Sequence, residues 1–138
     1  MFPAWRQILR QAGEVTIYFI SGHLDLTDNE FADHYEARIR EAIRTGGSFV
    51  VGDARGCDWM AQRYLYERVQ VPANHVRVFH MFEAPRNNMG FETVGLFTSD
   101  EERDAAMTRV SDDDIAWVRR GRESSGTAHN VFRRGPPR

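Results

Sequence analysis

The sequence predicts a three-layer α/β domain on a mainly parallel sheet of about four to five strands. Three observations carry this. VTIYFI (15–20) is β-branched, aromatic and nearly continuous in apolarity, as a strand covered on both faces is, and SFVV (48–51) and VRVFHM (76–81) read as a second and a third strand. Segments of helical periodicity separate them, so strand and helix alternate. Glycine-bearing turns follow the strands, on the side where open parallel sheets place their crevices.

The elements follow in order. Residues 1–14 read as a lead-in with a short helix through Trp5, Ile8 and Leu9. After the first strand and an SGHLDL loop, T27-D-N-E30 has the form of a capping box. Phe31, Tyr35, Ile39 and Ile43 then recur every four residues as one apolar stripe, and TGG ends the helix. The second strand, SFVV, leads into GDARGCD (52–58), with Asp58 placed to N-cap a helix over 59–69. VPAN is a turn into the third strand, on which Val76, Val78 and His80 face one way and Arg77, Phe79 and Met81 the other. FEAPRNNMGFETVG reads as irregular. S99-D-E-E102 opens a helix to about Val110, and DDDIAWV (112–118) ends in a fourth strand. RRGRESSG is a loop, TAHNVFRR a last short helix, and GPPR a frayed tail.

At 138 residues the chain reads as one domain, 1–138, long enough to bury a core without staples. It contains no lysine, its 18 basic residues all being arginine, which excludes Schiff-base chemistry and a P-loop lysine. The single cysteine, Cys57, excludes an internal disulfide and a multi-cysteine zinc site. A net charge of −2 argues against nucleic-acid binding by bulk charge. No run approaches the ~18 apolar residues of a membrane span. A cytoplasmic protein without membrane association is expected.

GDARGCD carries the strongest chemical signal. Gly52 and Gly56 permit a tight turn and close approach to a ligand. The amides at the start of the next helix suit an anion. Arg55 adds a bidentate clamp, and Asp53 and Asp58 are acceptors for sugar hydroxyls. The same residues also fit a plain strand-to-helix turn. SSGTA (124–128) offers a second donor-rich turn through Ser125, Gly126 and Thr127, which equally fits simple helix capping. APRNN supplies Arg86 and Asn87 after the third strand, and the first turn supplies Ser21, Gly22 and His23. The five histidines are too scattered for metal-ligand spacing, and the acids of DDD at 112–114 alternate faces, so neither a metal nor a cofactor is implied. Seven acids against two arginines in 98–114, followed by six arginines against one glutamate in 115–138, suggest mutual pairing, a partner subunit or an anion.

In this order GDARGCD, PRN and SSGTA resemble the SLOG superfamily of Rossmann-like domains, in particular its small bacterial and phage branch with a GGARGAD-like turn. The similarity spans about residues 15–134. It implies a Rossmann-like fold and a nucleotide or nucleotide-derived ligand. Gly52, Asp53, Arg55, Gly56 and Asp58 would line the first turn, Arg86 and Asn87 the second, and Ser125, Gly126 and Thr127 the third. Two related groups, the phosphoribohydrolases and the nucleoside deoxyribosyltransferases, cleave or exchange N-glycosidic bonds with a glutamate late in the chain. Asn130 stands there instead and cannot act as a carboxylate. Binding or sensing of the ligand is therefore the first expectation. N-glycoside hydrolysis of nucleoside monophosphates is the alternative, with Asp25, Asp53 and Asp58 as replacement carboxylates. A protein-interaction scaffold is the second alternative. A homo-oligomer is expected, with Trp5, Phe82, Phe91 and Phe97 available for an interface.

Overall fold

A computed structural model describes residues 15–135. The expected lead-in over 1–14 and the last three residues of the tail lie outside them. Strand β1 (Ile17–Ser21) is followed by helix α1, built from Asp28–Phe31, a π-helical stretch Ala32–Glu36, and Ala37–Arg44. Strand β2 (Ser48–Gly52) leads into α2, Cys57–Arg63 continued by the π-helical Tyr64–Arg68. A 3₁₀ turn, Ala73–His75, precedes β3 (Val76–Met81). Strand β4 (Glu92–Phe97), helix α3 (Asp100–Val110), strand β5 (Asp113–Ala116) and helix α4 (Gly126–Arg134) complete the order.

All five strands are parallel, in the order β4-β3-β2-β1-β5. The chain steps outward from β1 to β4, then returns through α3 to lay β5 on the other side of β1. That reversal makes the carboxyl ends of β1 and β5 the topological switch point, where such sheets open a crevice. The α/β class and three layers match the sequence reading, with every strand parallel.

Alternate strand residues feed two cores. Ile20, Val51 and Val78 pack with Phe31, Tyr35 and Ile39 of α1 and Ala61 and Leu65 of α2. On the opposite face Ile17, Phe19, Val50 and Phe79 pack with Ala106, Met107 and Val110 of α3. Every residue of β2 is buried, as its unbroken apolarity requires.

The helix starts are set as their caps dictate. Thr27 and Glu30 form the reciprocal capping box. Ser99 accepts from Glu102 N, but the Glu102 carboxylate turns to Thr98 N and Oγ1 rather than to Ser99. The expected N-cap at Asp58 is corrected: α2 begins at Cys57, with Gly56 as N-cap in a left-handed conformation (φ 73°). Asp58 lies in the first turn and reaches back to Ala54 N at 3.1 Å.

Sequence reading missed β4 by taking 82–95 as irregular. The strand contains Gly95 and is only half covered, so no continuous apolar run marks it. A Cβ at Gly95 would collide with the His80 ring, which is why the edge strand carries a glycine there. Ten residues without a helix join β3 to β4, and bonds between Phe82 and both Leu96 and Phe97 close the far end.

The π-helical stretch of α1 carries Tyr35. Buried Tyr35 donates its hydroxyl hydrogen to Ser21 O (2.7 Å) and accepts from Trp117 N (3.0 Å). One side chain thus pins together the ends of β1 and β5. No helix among the described residues is long and apolar enough to cross a membrane.

Candidate functional site

A cleft of about 510 Å³ opens at the carboxyl ends of β1 and β2 and is closed on one side by α3 and α4. Ser21, Gly22, His23 and Asp25 reach it from the β1 turn, Arg55 and Asp58 from the β2 turn. Arg86 contributes from the loop after β3, and Ser125, Gly126 and Thr127 from the start of α4. Four of the sequence-predicted residues, Gly52, Asp53, Gly56 and Asn87, are not among its lining and form the scaffold behind it.

Asp53 is the centre of that scaffold. It is fully buried and accepts from Arg86 N (2.8 Å), Arg86 Nε (3.2 Å), Arg86 Nη2 (2.9 Å) and Arg103 Nη1 (2.8 Å). Burial alone would raise its pKa. The hydrogen bonds from Arg86 and the charges of Arg86 and Arg103 outweigh that and hold it below the usual carboxylate value. With its lone pairs committed, Asp53 is not available to sugar hydroxyls. Asn87 donates to Asp53 O at 3.0 Å, and buried Gln62 ties Gly52 O, Asn87 O and Met89 N into one network.

Arg103 is the principal residue that motif reading overlooked. Its side chain is 6% exposed and bridges Asp53, Asp100 and Asp104. A signal existed: Arg103 precedes Met107 and Val110 at helical spacing, on the face of α3 that packs inward. Asp104 also accepts from Asn130 Nδ2 at 3.1 Å, and Asn130 Oδ1 accepts from Arg133 Nη1 at 2.7 Å. Asn130 is therefore an internal tie between α3 and α4.

The glycines serve close packing between turns. A Cβ on Gly22 would stand 2.5 Å from both Cys57 Sγ and Tyr35 Oη. On Gly56 it would overlap the carbonyl oxygens of His23 and Leu24, and on Gly52 the Asp58 carboxylate. The amide of Cys57 is spent on His23 O at 3.1 Å, so the start of α2 is capped by the β1 turn. At α4 the arrangement is more open: Ser125 Oγ caps Ala128 N at 3.2 Å, and nothing stands near Gly126.

His23 is a structural staple. Its Nε2 accepts from Arg119 N at 2.8 Å, which requires a neutral ring and joins the β1 turn to the loop after β5. Burial, then Arg119 and Arg122, lower its pKa below the ordinary histidine value. Asp25 sits at the surface, paired to Arg119 and Arg122, with a pKa lowered chiefly by the Arg119 hydrogen bond. Arg119 also pairs with Glu30, and Arg134 makes a bidentate pair with Asp114. The late arginines thus divide between the acidic segment and the β1 loop. Within DDD, Asp112 accepts from Ile17 N while Asp114 holds Arg134, so the acids serve separate partners.

Three groups in the cleft lack an internal commitment. Ser21 Oγ is buried with no hydrogen-bond partner. Arg55 is exposed at the mouth with no ion pair among the described residues. Asp58 is 7% exposed, and only its Oδ2 is engaged, by Ala54 N. Burial, partly opposed by Arg103, pushes the Asp58 pKa up to about 7. Cys57 beside it is fully buried, and burial raises its thiol well above the ordinary value. No group of three His, Cys, Asp or Glu among the described residues could hold a metal ion.

No family model, curated protein or solved structure gives a significant match to this chain.

Proposed function

We propose that this cleft binds a nucleotide or a nucleotide-derived ligand. One observation carries the reading. The turns after β1 and β2 and the start of α4, distant in sequence, converge on a single cleft of about 510 Å³ in which Ser21 Oγ lacks a partner. A volume of that order suits a small ligand. Arg55 and the open N-terminus of α4 suit a phosphate at the mouth. Behind them the ion pairs of Asp53, Arg86 and Arg103 fix the floor, so little ordering accompanies binding. Thermal unfolding against a panel of mono-, di-, tri- and cyclic nucleotides tests this. A ligand at ~100 times its Kd stabilises by ~2.7 kcal/mol. If no member of the panel moves the transition, the reading fails.

A second reading, N-glycoside cleavage of nucleoside monophosphates, has one observation in its favour. Of the three candidate carboxylates, Asp53 is sealed by arginines and Asp25 is ion-paired at the surface. Asp58 alone of the three lines the cleft without an ion pair among the described residues, and burial raises its pKa to about 7. Such an acid suits proton delivery to a leaving base. Chromatography of free base released from nucleotide mixtures decides it. Release no greater than a buffer blank removes the enzyme reading and leaves the binding reading intact.

A further inference from the structure

We infer that Asp58 is a hydrogen-bond donor to the ligand: a neutral carboxyl that offers its O–H to an acceptor oxygen, so that capture of an anionic nucleotide is coupled to proton uptake. The inference rests on the nucleotide reading of the cleft. From sequence alone Asp58 reads as an ionised acceptor for sugar hydroxyls. Its surroundings reverse that polarity.

Three geometric facts are decisive. Every other carboxylate lining the cleft has an arginine within ion-pair distance: Asp25 has Arg119 and Arg122, Asp100 has Arg86 and Arg103, and Asp104 has Arg103. Among the described residues Asp58 has none, although it is 7% exposed. A carboxylate removed from water without a partner is strongly disfavoured and takes up a proton instead. Next, Oδ2 already accepts from Ala54 N, which leaves Oδ1 as the atom free to carry that proton. Finally, Ser21 Oγ in the same cleft is a second hydroxyl with no internal partner. Two unmatched O–H groups call for acceptor oxygens, and a phosphoryl group supplies several.

The charged groups around Asp58 set the sign. Asp53 lies on the same turn, and Asp104 and Arg103 face it from α3; the two acids favour its neutral form and the arginine opposes. Arg55, Arg86 and Asp100 stand at the mouth, His23 and Asp25 on the β1 turn, and Arg122 on the loop before α4. With the acid form half populated at about pH 7, only part of the protein is competent to donate at neutral pH. A ligand that requires the donor then draws a proton from solvent as it binds.

The experiment uses the tightest binder of a panel of AMP, GMP, CMP and UMP with their di- and triphosphates. Calorimetric titration at pH 8 in HEPES and in Tris separates proton uptake from binding heat. Uptake approaching one proton per ligand is expected. Apparent affinity should be roughly tenfold weaker at pH 8 than at pH 6, the ratio of the competent fractions for a group titrating at about 7. D58N keeps a donor without a titrating proton. It should bind within a few-fold of wild type at pH 6 and retain only the weak pH dependence of the ligand's own phosphate. D58A should lose roughly tenfold. Unfolding midpoints of both variants guard against loss of fold, and the uptake measurement on wild type needs no variant. Absence of uptake, proton release, or a D58N as weak as D58A overturns the inference and leaves nucleotide binding standing. Failure of the whole panel to bind overturns both.

Discussion

Replacing Arg103 with methionine tests whether the floor of the cleft is held electrostatically. The substitution conserves much of the stem that packs along α3 and removes the guanidinium. Arg103 is 6% exposed and donates to Asp53 at 2.8 Å and to Asp104 at 3.0 and 2.8 Å. Asp53 would remain fully buried and keep its three bonds to Arg86, while Asp104 would keep only Asn130. Breaking a buried pair by removing one partner costs about 3–5 kcal/mol. Because Arg86 still neutralises Asp53, the lower end applies, about 3 kcal/mol. Urea unfolding followed by tryptophan fluorescence and by far-ultraviolet dichroism gives the difference directly. A midpoint fall of roughly 10 °C should accompany it in thermal scans. The double variant D53N/R103M should lose less than the sum of its two single variants, since the two side chains share one interaction. A loss below ~1 kcal/mol for R103M, or strict additivity in the cycle, would refute the reasoning.

Other outcomes follow from the same geometry. Gly56→Ala forces a Cβ onto the carbonyls of His23 and Leu24 at positive φ and should destabilise by about 2 kcal/mol or more, whereas Gly126→Ala, in open space, should be neutral or stabilise by up to about 1 kcal/mol. Equal effects in denaturant would contradict this. Tyr35→Phe strands Ser21 O and Trp117 N and should cost about 1–3 kcal/mol, with faster amide exchange at Trp117 as a local signature. Asp58 binds its proton more tightly folded than unfolded, so its contribution to stability is full below about pH 4 and is lost as pH rises to about 7. D58N should therefore gain on wild type between pH 5 and pH 8, and a constant difference in unfolding free energy would count against that assignment. His23 has the opposite sense. Its pKa is lowered on folding, so its contribution is present above pH 6.5 and falls away at lower pH. Its imidazole resonances should titrate below 6.5, and a midpoint at or above that value would be inconsistent with the bond from Arg119 N.

The strands and helix starts were legible because their signals are local. Continuous apolarity marks β1 and β2, β-branched and aromatic residues mark β3, and the Thr27–Glu30 spacing marks the beginning of α1. Strand β4 was not legible, since its pairing depends on β3 and its glycine answers to a histidine ring fifteen positions back. The convergence of the turns at the cleft was readable from fold class. The division of labour among their residues was not. Asp53 and Asp58 differ by five positions and share a side-chain type, yet Asp53 is held as an anion by direct pairs with Arg86 and Arg103, while Asp58 has no ion pair among the described residues and burial outweighs the more distant charge of Arg103. Likewise, Gly52 and Gly56 read as ligand-facing until Arg103, Asp58 and the β1 turn are seen to occupy the space a side chain would need.

Asp53 holds Arg86, and Arg86 lies midway along the helix-free passage that delivers β4 to the rim of the sheet. Anchoring the floor and anchoring the outermost strand are thus one task done by one carboxylate. Divergence toward another ligand cannot begin there without unfastening the sheet's border. It is confined to cleft positions with no such double duty, Arg55 and Gly126 among them, where side chains can be exchanged while the frame behind them stays put.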